Sequence, residues 1–169
     1  MSNTKEIAVG IDIGGTNSRF GVVTGNGDVL EHDRFPTSSY PKAEGYVRAI
    51  SRKIKEVLKK YEEYTFKGIG IGAPNGNYFK GTIEQAPNLP WKGMISFVDM
   101  FKRQFSERFV LTNDANAAAI DEMMFGGARH MKDFIVITLG TGLGSGIVVN
   151  GDLVYGHDGF AGEIGHTFV

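Results

Sequence analysis

The sequence predicts an α/β fold, and three observations support this prediction. Short β-branched runs, which are typical of strands, alternate with stretches whose apolar residues recur at helical spacing. Three strands precede the first helix, so antiparallel hairpin strands are expected beside strands that run parallel. Glycine makes up 24 of the 169 residues, about twice its average share, and it clusters after the apolar runs.

The strands are predicted from apolar runs that end at turn residues. The run 7–13 ends at Gly14 and Gly15, and the run 18–23 is followed by GNGD, a typical hairpin turn. The run 66–73 follows a helix, so it is expected to lie parallel to the first strand. The remaining strands are predicted over residues 29–35, 109–112, 134–139 and 145–149.

The longest helix is predicted after Pro41. Apolar residues from Val47 to Tyr61 recur three or four positions apart, with basic residues between them. Two shorter helices are predicted over residues 95–105 and 116–125. Residues 74–93 are rich in Gly, Pro and Asn, and they are predicted to form a loop.

Composition excludes several classes of protein. The formal net charge is -1, which provides no electrostatic footprint for nucleic acid or for an anionic membrane. No run approaches the ~20 apolar residues of a membrane-spanning helix, and residues 1–6 are too polar to open a signal peptide. The absence of cysteine excludes disulfides and thiol catalysis, and it fits a cytoplasmic location. We therefore expect no nucleic-acid or membrane partner.

Two glycine-rich turns between strands are candidate phosphate-binding sites. The first is DIGGTNSR over residues 12–19, and the second is LGTGLGSG over residues 139–146. Glycines allow positive φ and a close approach of the backbone, and successive N–H groups in such turns can hold anionic oxygens. Neither turn matches a phosphate motif that opens a helix. The alternative is two tight hairpin turns that need glycine, and the presence of both turns together with Asp12 weakens it.

Side chains of the first turn extend the phosphate hypothesis. Thr16 and Asn17 add short donors, and Asp12 provides a carboxylate for Mg²⁺ through water. Arg19 lies either over the phosphates or in a structural ion pair with an acid.

Asp114 lies in a polar cluster, TNDAN over residues 112–116, between a strand and a helix. Asn and Asp are favoured as helix N-caps because their oxygens accept from free backbone N–H groups. Asp114 is also a candidate general base, since ligand sites of α/β sheets gather at the carboxyl ends of strands. A carboxylate there can accept the proton of an attacking hydroxyl. Spacing alone does not separate cap from base, and the two roles are compatible.

Further polar and aromatic residues are weaker candidates. Asn88 lies between two prolines in APNLPW and suits sugar hydroxyls, although Asn in such a segment is usually a turn residue. Trp91 is predicted to pack in the core rather than against a sugar. Glu163 and His166 lie three residues apart in a glycine-rich segment. The other histidines are predicted to be surface residues: His32, His130 and His157.

Five motifs occur in the order DIGGTNSRFG, APNLPW, LTNDANAAA, LGTGLGSGI and AGEIGH, and they span nearly the whole chain. In this order they resemble the ROK family of sugar kinases and sugar-responsive repressors, and its glucokinase members in particular. The resemblance implies an actin-like ATPase fold of the hexokinase type, built on the ribonuclease H-like motif with two α/β lobes. Residues 1–112 would form the N-terminal lobe with a mixed five-stranded sheet. Residues 113–169 would form the hinge, the catalytic loop and the first strands of the second lobe.

The resemblance implies ATP-dependent phosphorylation of a hexose at its 6-hydroxyl, with glucose expected first and N-acetylhexosamine, mannose or fructose as alternatives. Asp114 matches the family's general base, and ATP with Mg²⁺ is expected between the two glycine turns. The implied phosphate and Mg²⁺ residues are Asp12, Gly14, Gly15, Thr16, Asn17, Arg19, Gly140, Thr141, Gly142 and Gly144. The implied sugar-contacting residues are Asn75, Gly76, Asn88, Asn113, Asp114, Glu163 and His166.

Departures from the family pattern accompany the resemblance. His166 matches a histidine that, in relatives, binds a structural Zn²⁺ with three cysteines of a CxCGxxGC motif just downstream. The chain ends at Val169 and family members are longer, so we expect an N-terminal portion with little kinase activity and no stoichiometric zinc by itself. The full-length protein is expected to form a homodimer. Residues 74–77 are PNGN where many relatives have a Pro-Gly-Pro run, which leaves the choice of hexose open.

Two other classes of function are alternatives. Repressors of the family have a winged helix-turn-helix before the kinase-like region, and only eleven residues precede Asp12, so we expect no DNA-binding domain. The other alternative is a non-enzymatic sugar or nucleotide binder, or an actin-like assembly module. A filament protein would not need the polar set Asn88, Asp114 and Glu163.

Overall fold

The computed structural model describes residues 5–140 and 142–166, with the backbone alone at His166. The strands are β1 (Glu6–Ile13), β2 (Asn17–Thr24), β3 (Val29–Pro36), β4 (Thr65–Gly72), β5 (Gly76–Asn77), β6 (Thr82–Glu84), β7 (Met94–Ile95), β8 (Arg108–Thr112), β9 (Phe134–Leu139), β10 (Leu143–Val149) and β11 (Asp152–Leu153). The helices are α1 (Ala43–Leu58), α2 (Phe97–Lys102) and α3 (Asp114–Met124), with short 3₁₀ turns at Lys59–Tyr61 and Ile164–His166.

The central feature is a mixed five-stranded sheet with the order β3-β2-β1-β4-β8. β4 pairs parallel with both β1 and β8, whereas β2 is antiparallel to β1 and to β3. The predicted parallel pairing of β4 with the first strand is thereby confirmed. The register places one row of residues across the sheet at the carboxyl ends of the parallel strands: Arg34, Arg19, Asp12, Gly72 and Thr112.

One face of this sheet packs against α1 and α2 and forms the hydrophobic core. Alternate residues of β1 are buried on this face, as the period of two along a strand requires. Tyr46 of α1 is fully buried beside Trp91 and Phe97, and its hydroxyl donates to Ser18 Oγ at 2.7 Å. The indole N–H of Trp91 donates to the backbone oxygen of Tyr40 at 2.9 Å. The prediction that Trp91 packs in the core is therefore confirmed.

The opposite face of the sheet has little side-chain volume. Gly10 lies opposite Gly21 on one side and Gly70 on the other, and a Cβ on Gly10 or Gly70 would meet no described atom within 4 Å. α3 packs on this face near β4, where a Cβ on Gly72 would lie 3.3 Å from the Cβ of Ala117. The part of this face that α3 leaves uncovered is a groove of about 1220 Å³.

β9, β10 and β11 form a second sheet that packs against α3. The contact is close because Gly146 of β10 lies on the helix: a Cβ there would be 2.5 Å from the Cβ of Ala119 and 2.8 Å from the oxygen of Ala115. This packing joins the second sheet to the helix that follows β8. Among the helices that the structure describes, none is long and apolar enough to cross a membrane.

The prediction of loop over residues 74–93 was wrong in part. β5 and β6 lie within that span and pair with β7 to form a small antiparallel sheet. Strands of two or three residues are too short to show an alternating pattern. The same sheet shortens the second predicted helix, because Ile95 pairs with Ile83 and α2 begins only at Phe97. α3 begins at Asp114, two residues before its predicted start.

Candidate functional site

Asp12 lies at the carboxyl end of β1 and faces the groove. Its strand neighbours in the register are Arg19 on β2 and Gly72 on β4, so a cationic side chain flanks it on one side and bare backbone on the other. Partial removal from water raises the pKa of the Asp12 carboxyl, repulsion from Asp114 raises it further, and Arg19 opposes the shift. The structure therefore brings both predicted carboxylates, Asp12 and Asp114, into one electrostatic site.

The first glycine turn joins β1 to β2 and packs against the segment that contains Asn88. A Cβ on Gly15 would lie 2.1 Å from the backbone oxygen of Asn88, so only glycine permits this approach. Thr16 and Asn17 are exposed at the turn, and the Thr16 oxygen accepts from the N–H of Ser38 at 3.1 Å. Neither Gly14 nor Gly15 has a positive φ. Close approach, rather than left-handed backbone, requires glycine at position 15.

The amino end of α3 contains the polar cluster, and the structure shows which of its residues caps the helix. Asn113 is the N-cap, and its Oδ1 accepts from the N–H of Ala115 at 2.8 Å. Asp114 Oδ1 lies 2.9 Å from the same N–H group and shares it. The Asp114 side chain is exposed on the groove side, where Asp12 also lies. Asn113 therefore caps the helix, and Asp114 combines a shared hydrogen bond at the helix start with a position on the groove.

The second glycine turn joins β9 to β10 and lies against the same helix end. A Cβ on Gly144 would be 3.1 Å from the Cβ of Ala115 and 2.7 Å from the hydroxyl of Thr138. The Gly140 N–H donates to the oxygen of Gly142 at 3.0 Å across the turn. Thr141, a predicted phosphate-binding residue, falls outside the described residues. This packing places the start of β10 against Ala115, the residue that follows Asp114.

The predicted sugar-contacting residues lie in several segments near the carboxyl end of β8. Asn113 Nδ2 donates to Glu163 Oε1 at 2.9 Å, which joins two of them directly. Gly76 packs on this end, since a Cβ there would be 2.4 Å from the oxygen of Thr112. Asn75 has a φ of 52°, and its amide donates to the backbone oxygen of Glu84 at 3.0 Å.

The remaining predicted sugar residues are less closely defined. The Asn88 side chain is exposed, and its backbone is the part in contact with the first glycine turn. His166 lies in the terminal 3₁₀ turn, and its side chain falls outside the described residues. His32, His130 and His157 are exposed, which confirms their prediction as surface residues.

Three residues of the site region were not predicted from the sequence. Arg34 lines the groove directly across from Arg19, an arrangement that depends on the β2–β3 register. Asn77 donates to the backbone oxygen of Asp158, and Tyr155 stacks on Tyr78, so both residues act through contacts between segments that are far apart in the chain. The burial pattern of β3 does not alternate, and no local pattern indicates any of the three residues.

The donor set fits a cation held through phosphate better than a cation held by the protein alone. Among residues 5–140 and 142–165, no group of three His, Asp or Glu side chains is placed to hold a metal ion. Asp12 provides a carboxylate, which is the ligand type that Mg²⁺ prefers. Mg²⁺ commonly binds through one or two carboxylates plus substrate phosphates, and a single carboxylate at the groove is compatible with that mode.

The chain matches known glucokinases over nearly its full length and a repressor over part of it. The glucokinase of Streptomyces coelicolor is 37% identical over 161 residues, covering 95% of this chain and 49% of that protein. The xylose repressor of Caldicellulosiruptor bescii is 40% identical over 104 residues, covering 60% of this chain and 26% of the repressor. A crystal structure of a ROK family glucokinase from Streptomyces griseus, in complex with glucose and AMPPNP, is 37% identical. It superimposes with a TM-score of 0.82 over 96% of this chain and 51% of that one.

These similarities settle the fold and the family. The chain spans about half the length of the glucokinases it matches. The solved ROK sugar kinases have the actin-like ATPase fold, and the mixed five-stranded sheet agrees with it, so the predicted fold class is confirmed. The model of the ROK family matches residues 8–169. The chain belongs to the ROK family.

Proposed function

We propose that the whole protein, as its source cell makes it, transfers the γ-phosphoryl group of ATP to the 6-hydroxyl of a hexose, most readily glucose. The observation that supports this best is the convergence of Asp12 and Asp114 on one groove, with a glycine turn beside each. The similarity to glucokinases, one of them solved with glucose and AMPPNP, agrees with this assignment. Residues 1–112 and 113–169 would belong to separate lobes on the two sides of the cleft.

In this proposal Asp114 is the general base. Its carboxylate accepts the proton of the hexose 6-hydroxyl as that oxygen forms a bond to the γ-phosphorus. The bond between the γ-phosphorus and its bridging oxygen breaks, and ADP leaves with the electron pair. Asn113 supports the step because it caps α3 and holds Glu163, so the base and a sugar ligand share one anchor.

The first-turn residues bind the phosphates in this proposal. Backbone N–H groups around Gly14 and Gly15, and the Arg19 guanidinium, offer donors to the anionic oxygens. Asp12 would hold Mg²⁺ through water, and the bound ion would supply positive charge next to the phosphates. A cation there would favour the charged form of Asp12, against the desolvation and the repulsion from Asp114 that raise its pKa.

The test compares Asp114→Asn with Asp99→Asn in the whole protein. Asp99 is an exposed carboxylate on α2, the helix on the opposite face of the sheet, so its variant makes the same chemical change away from the groove. We expect Asp114→Asn to lower kcat by about 10²–10⁴-fold with normal folding, and Asp99→Asn to leave it nearly unchanged. Turnover of Asp114→Asn within about twofold of wild type would rule out the base assignment.

The hexose is identified by comparing kcat/KM across a panel of glucose, mannose, fructose and N-acetylhexosamines with coupled detection of ADP. We expect the highest value for glucose. A higher value for another sugar would change the substrate and leave the phosphoryl transfer in place.

A sugar-responsive repressor is the second candidate, favoured by the 40% identity to a xylose repressor. The two candidates differ in turnover and in DNA binding. Sugar-dependent release of ADP supports the kinase, whereas sugar-dependent binding to operator DNA without ADP release supports the repressor.

A further inference from the structure

Two segments meet beside the proposed sugar site, and a buried asparagine joins them. One is the β5–β6 hairpin, and the other is residues 155–163, called here the Glu163 segment. Asn77 of the hairpin is fully buried, and its Nδ2 donates to the backbone oxygen of Asp158 at 2.8 Å. Its Oδ1 accepts from the N–H groups of Phe79 and Lys80 at 3.1 and 3.2 Å. One side chain thus shapes the hairpin and holds the second segment.

An aromatic stack reinforces the same junction. The ring of Tyr78, next to Asn77, stacks on Tyr155 with centroids 4.2 Å apart and planes at 14°. Phe79 contacts the edge of the same tyrosine at 5.8 Å. Aromatic ring pairs stabilise a contact by more than the buried area alone predicts. The stack therefore adds to the Asn77 hydrogen bond in holding the hairpin against the Glu163 segment.

The Glu163 segment lies too close to its neighbours to shift freely. A Cβ on Gly159 would be 3.0 Å from Asn77 Oδ1, and a Cβ on Gly162 would be 2.6 Å from the oxygen of Ser145. Ser145 Oγ also donates to the oxygen of Gly162. The segment is therefore fixed on one side by β10 and on the other by Asn77.

We propose that Asn77 is a positioning residue for the hexose site, because it holds the segment that presents Glu163. This inference rests on the proposed sugar-kinase function. Asn77 lies in residues 1–112 and Asp158 in residues 113–169, so the hydrogen bond joins the two proposed lobes on the sugar side. The bond sets the distance between the hairpin, which contains Gly76, and the carboxylate of Glu163. Asn77 itself contacts no reacting atom.

The first experiment changes Asn77→Asp, which removes the Nδ2 donor and keeps the oxygen that accepts from Phe79 and Lys80. In the whole protein we expect the KM for hexose to rise about tenfold, which corresponds to about 1.4 kcal/mol, while the KM for ATP stays within about twofold. A general loss of folded structure would change both KM values. An unchanged hexose KM, or equal changes in both, would overturn the positioning role.

A second variant pair keeps the inference testable if Asn77→Asp fails to fold. Tyr78→Ala removes the ring stack and Tyr78→Phe retains it, so the phenylalanine variant is the matched control. We expect Tyr78→Ala to raise the hexose KM severalfold without changing the KM for ATP, and Tyr78→Phe to match wild type. A Tyr78→Ala variant with wild-type kinetics would count against the inference.

Hydrogen exchange separates this inference from the proposed function. The amide of Ala161 donates to the oxygen of Tyr155 at 3.0 Å within the segment, and in Asn77→Asp it is expected to exchange at least about tenfold faster. Amides of α1 should be unaffected. Unchanged exchange at residues 155–163 would show that Asn77 does not hold the Glu163 segment, even if the kinase is active. If wild type phosphorylates no hexose, the proposed function fails, and the exchange result still decides whether Asn77 holds the segment.

Discussion

Replacing Gly15 with alanine tests the contact that joins the first glycine turn to the Asn88 segment. The new Cβ would lie 2.1 Å from the Asn88 oxygen and 3.2 Å from its carbonyl carbon, whereas ordinary contact begins at 3.4 Å. Both partners are backbone, so no side chain can rotate away. The turn and the Asn88 segment must separate by about 1.3 Å, the difference between the present and the ordinary distance.

The expected cost follows from two opposing effects. Forcing an extra methyl group into a packed contact costs about 1–3 kcal/mol. Alanine also restricts the unfolded chain, which returns about 0.4–1 kcal/mol when the native φ suits it, and Gly15 has no positive φ. We therefore expect the free energy of unfolding to fall by about 1–2 kcal/mol.

Gly10→Ala is the matched control for this prediction. Its Cβ would meet no described atom within 4 Å, so only the unfolded-state effect applies and stability should rise slightly. Urea unfolding can be followed by the fluorescence of Trp91, the sole tryptophan of the chain, which is 4% exposed. Equal stability of the two variants would refute the close-contact reasoning.

Three further predictions concern hydrogen bonds and charge, and urea unfolding measures each of them. Tyr46→Phe removes the donor to Ser18 Oγ in the core and should lower the free energy of unfolding by about 1–2 kcal/mol; a smaller loss would mean that water replaces the bond. Asp12→Asn should raise stability at pH 7, because the raised pKa means that the charged carboxylate opposes folding there. That gain should shrink as the pH falls through the raised pKa and wild type becomes protonated; a gain independent of pH would contradict the assignment. Asn113→Ala removes both the α3 cap and the partner of Glu163, and should cost about 1 kcal/mol or more, whereas an unchanged midpoint would exclude the cap.

The main elements of the fold were predictable because their burial patterns are long enough to repeat. β1 alternates over eight residues, and α1 buries a stripe along four turns, so each pattern matches one period clearly. The strands β5, β6 and β7 have two or three residues and depend on pairing with each other. Their existence is a tertiary property, which local sequence does not encode.

The candidate site was predictable where one motif contains both the residue and its local role. Asn113 and Asp114 lie in TNDAN, and capping follows from the chemistry of their side chains at a helix start. The pairing of Asn77 with Asp158 spans 81 positions, and the contact of Arg34 with the groove depends on strand register. Such contacts are decided only after the sheets assemble.

The glycine content also has a different explanation from the one suggested by the turns alone. Gly15 meets the backbone of Asn88, Gly76 that of Thr112 and Gly162 that of Ser145, each at a distance where any Cβ would clash. Of these, Gly162 alone also has a positive φ. Most of these positions therefore require glycine because two backbones touch, and each contact joins a segment of the proposed site to another part of the chain. Alanine at one of these positions should consequently push two segments of the proposed site apart. Alanine at a glycine that only needs a positive φ would strain the local backbone without separating segments.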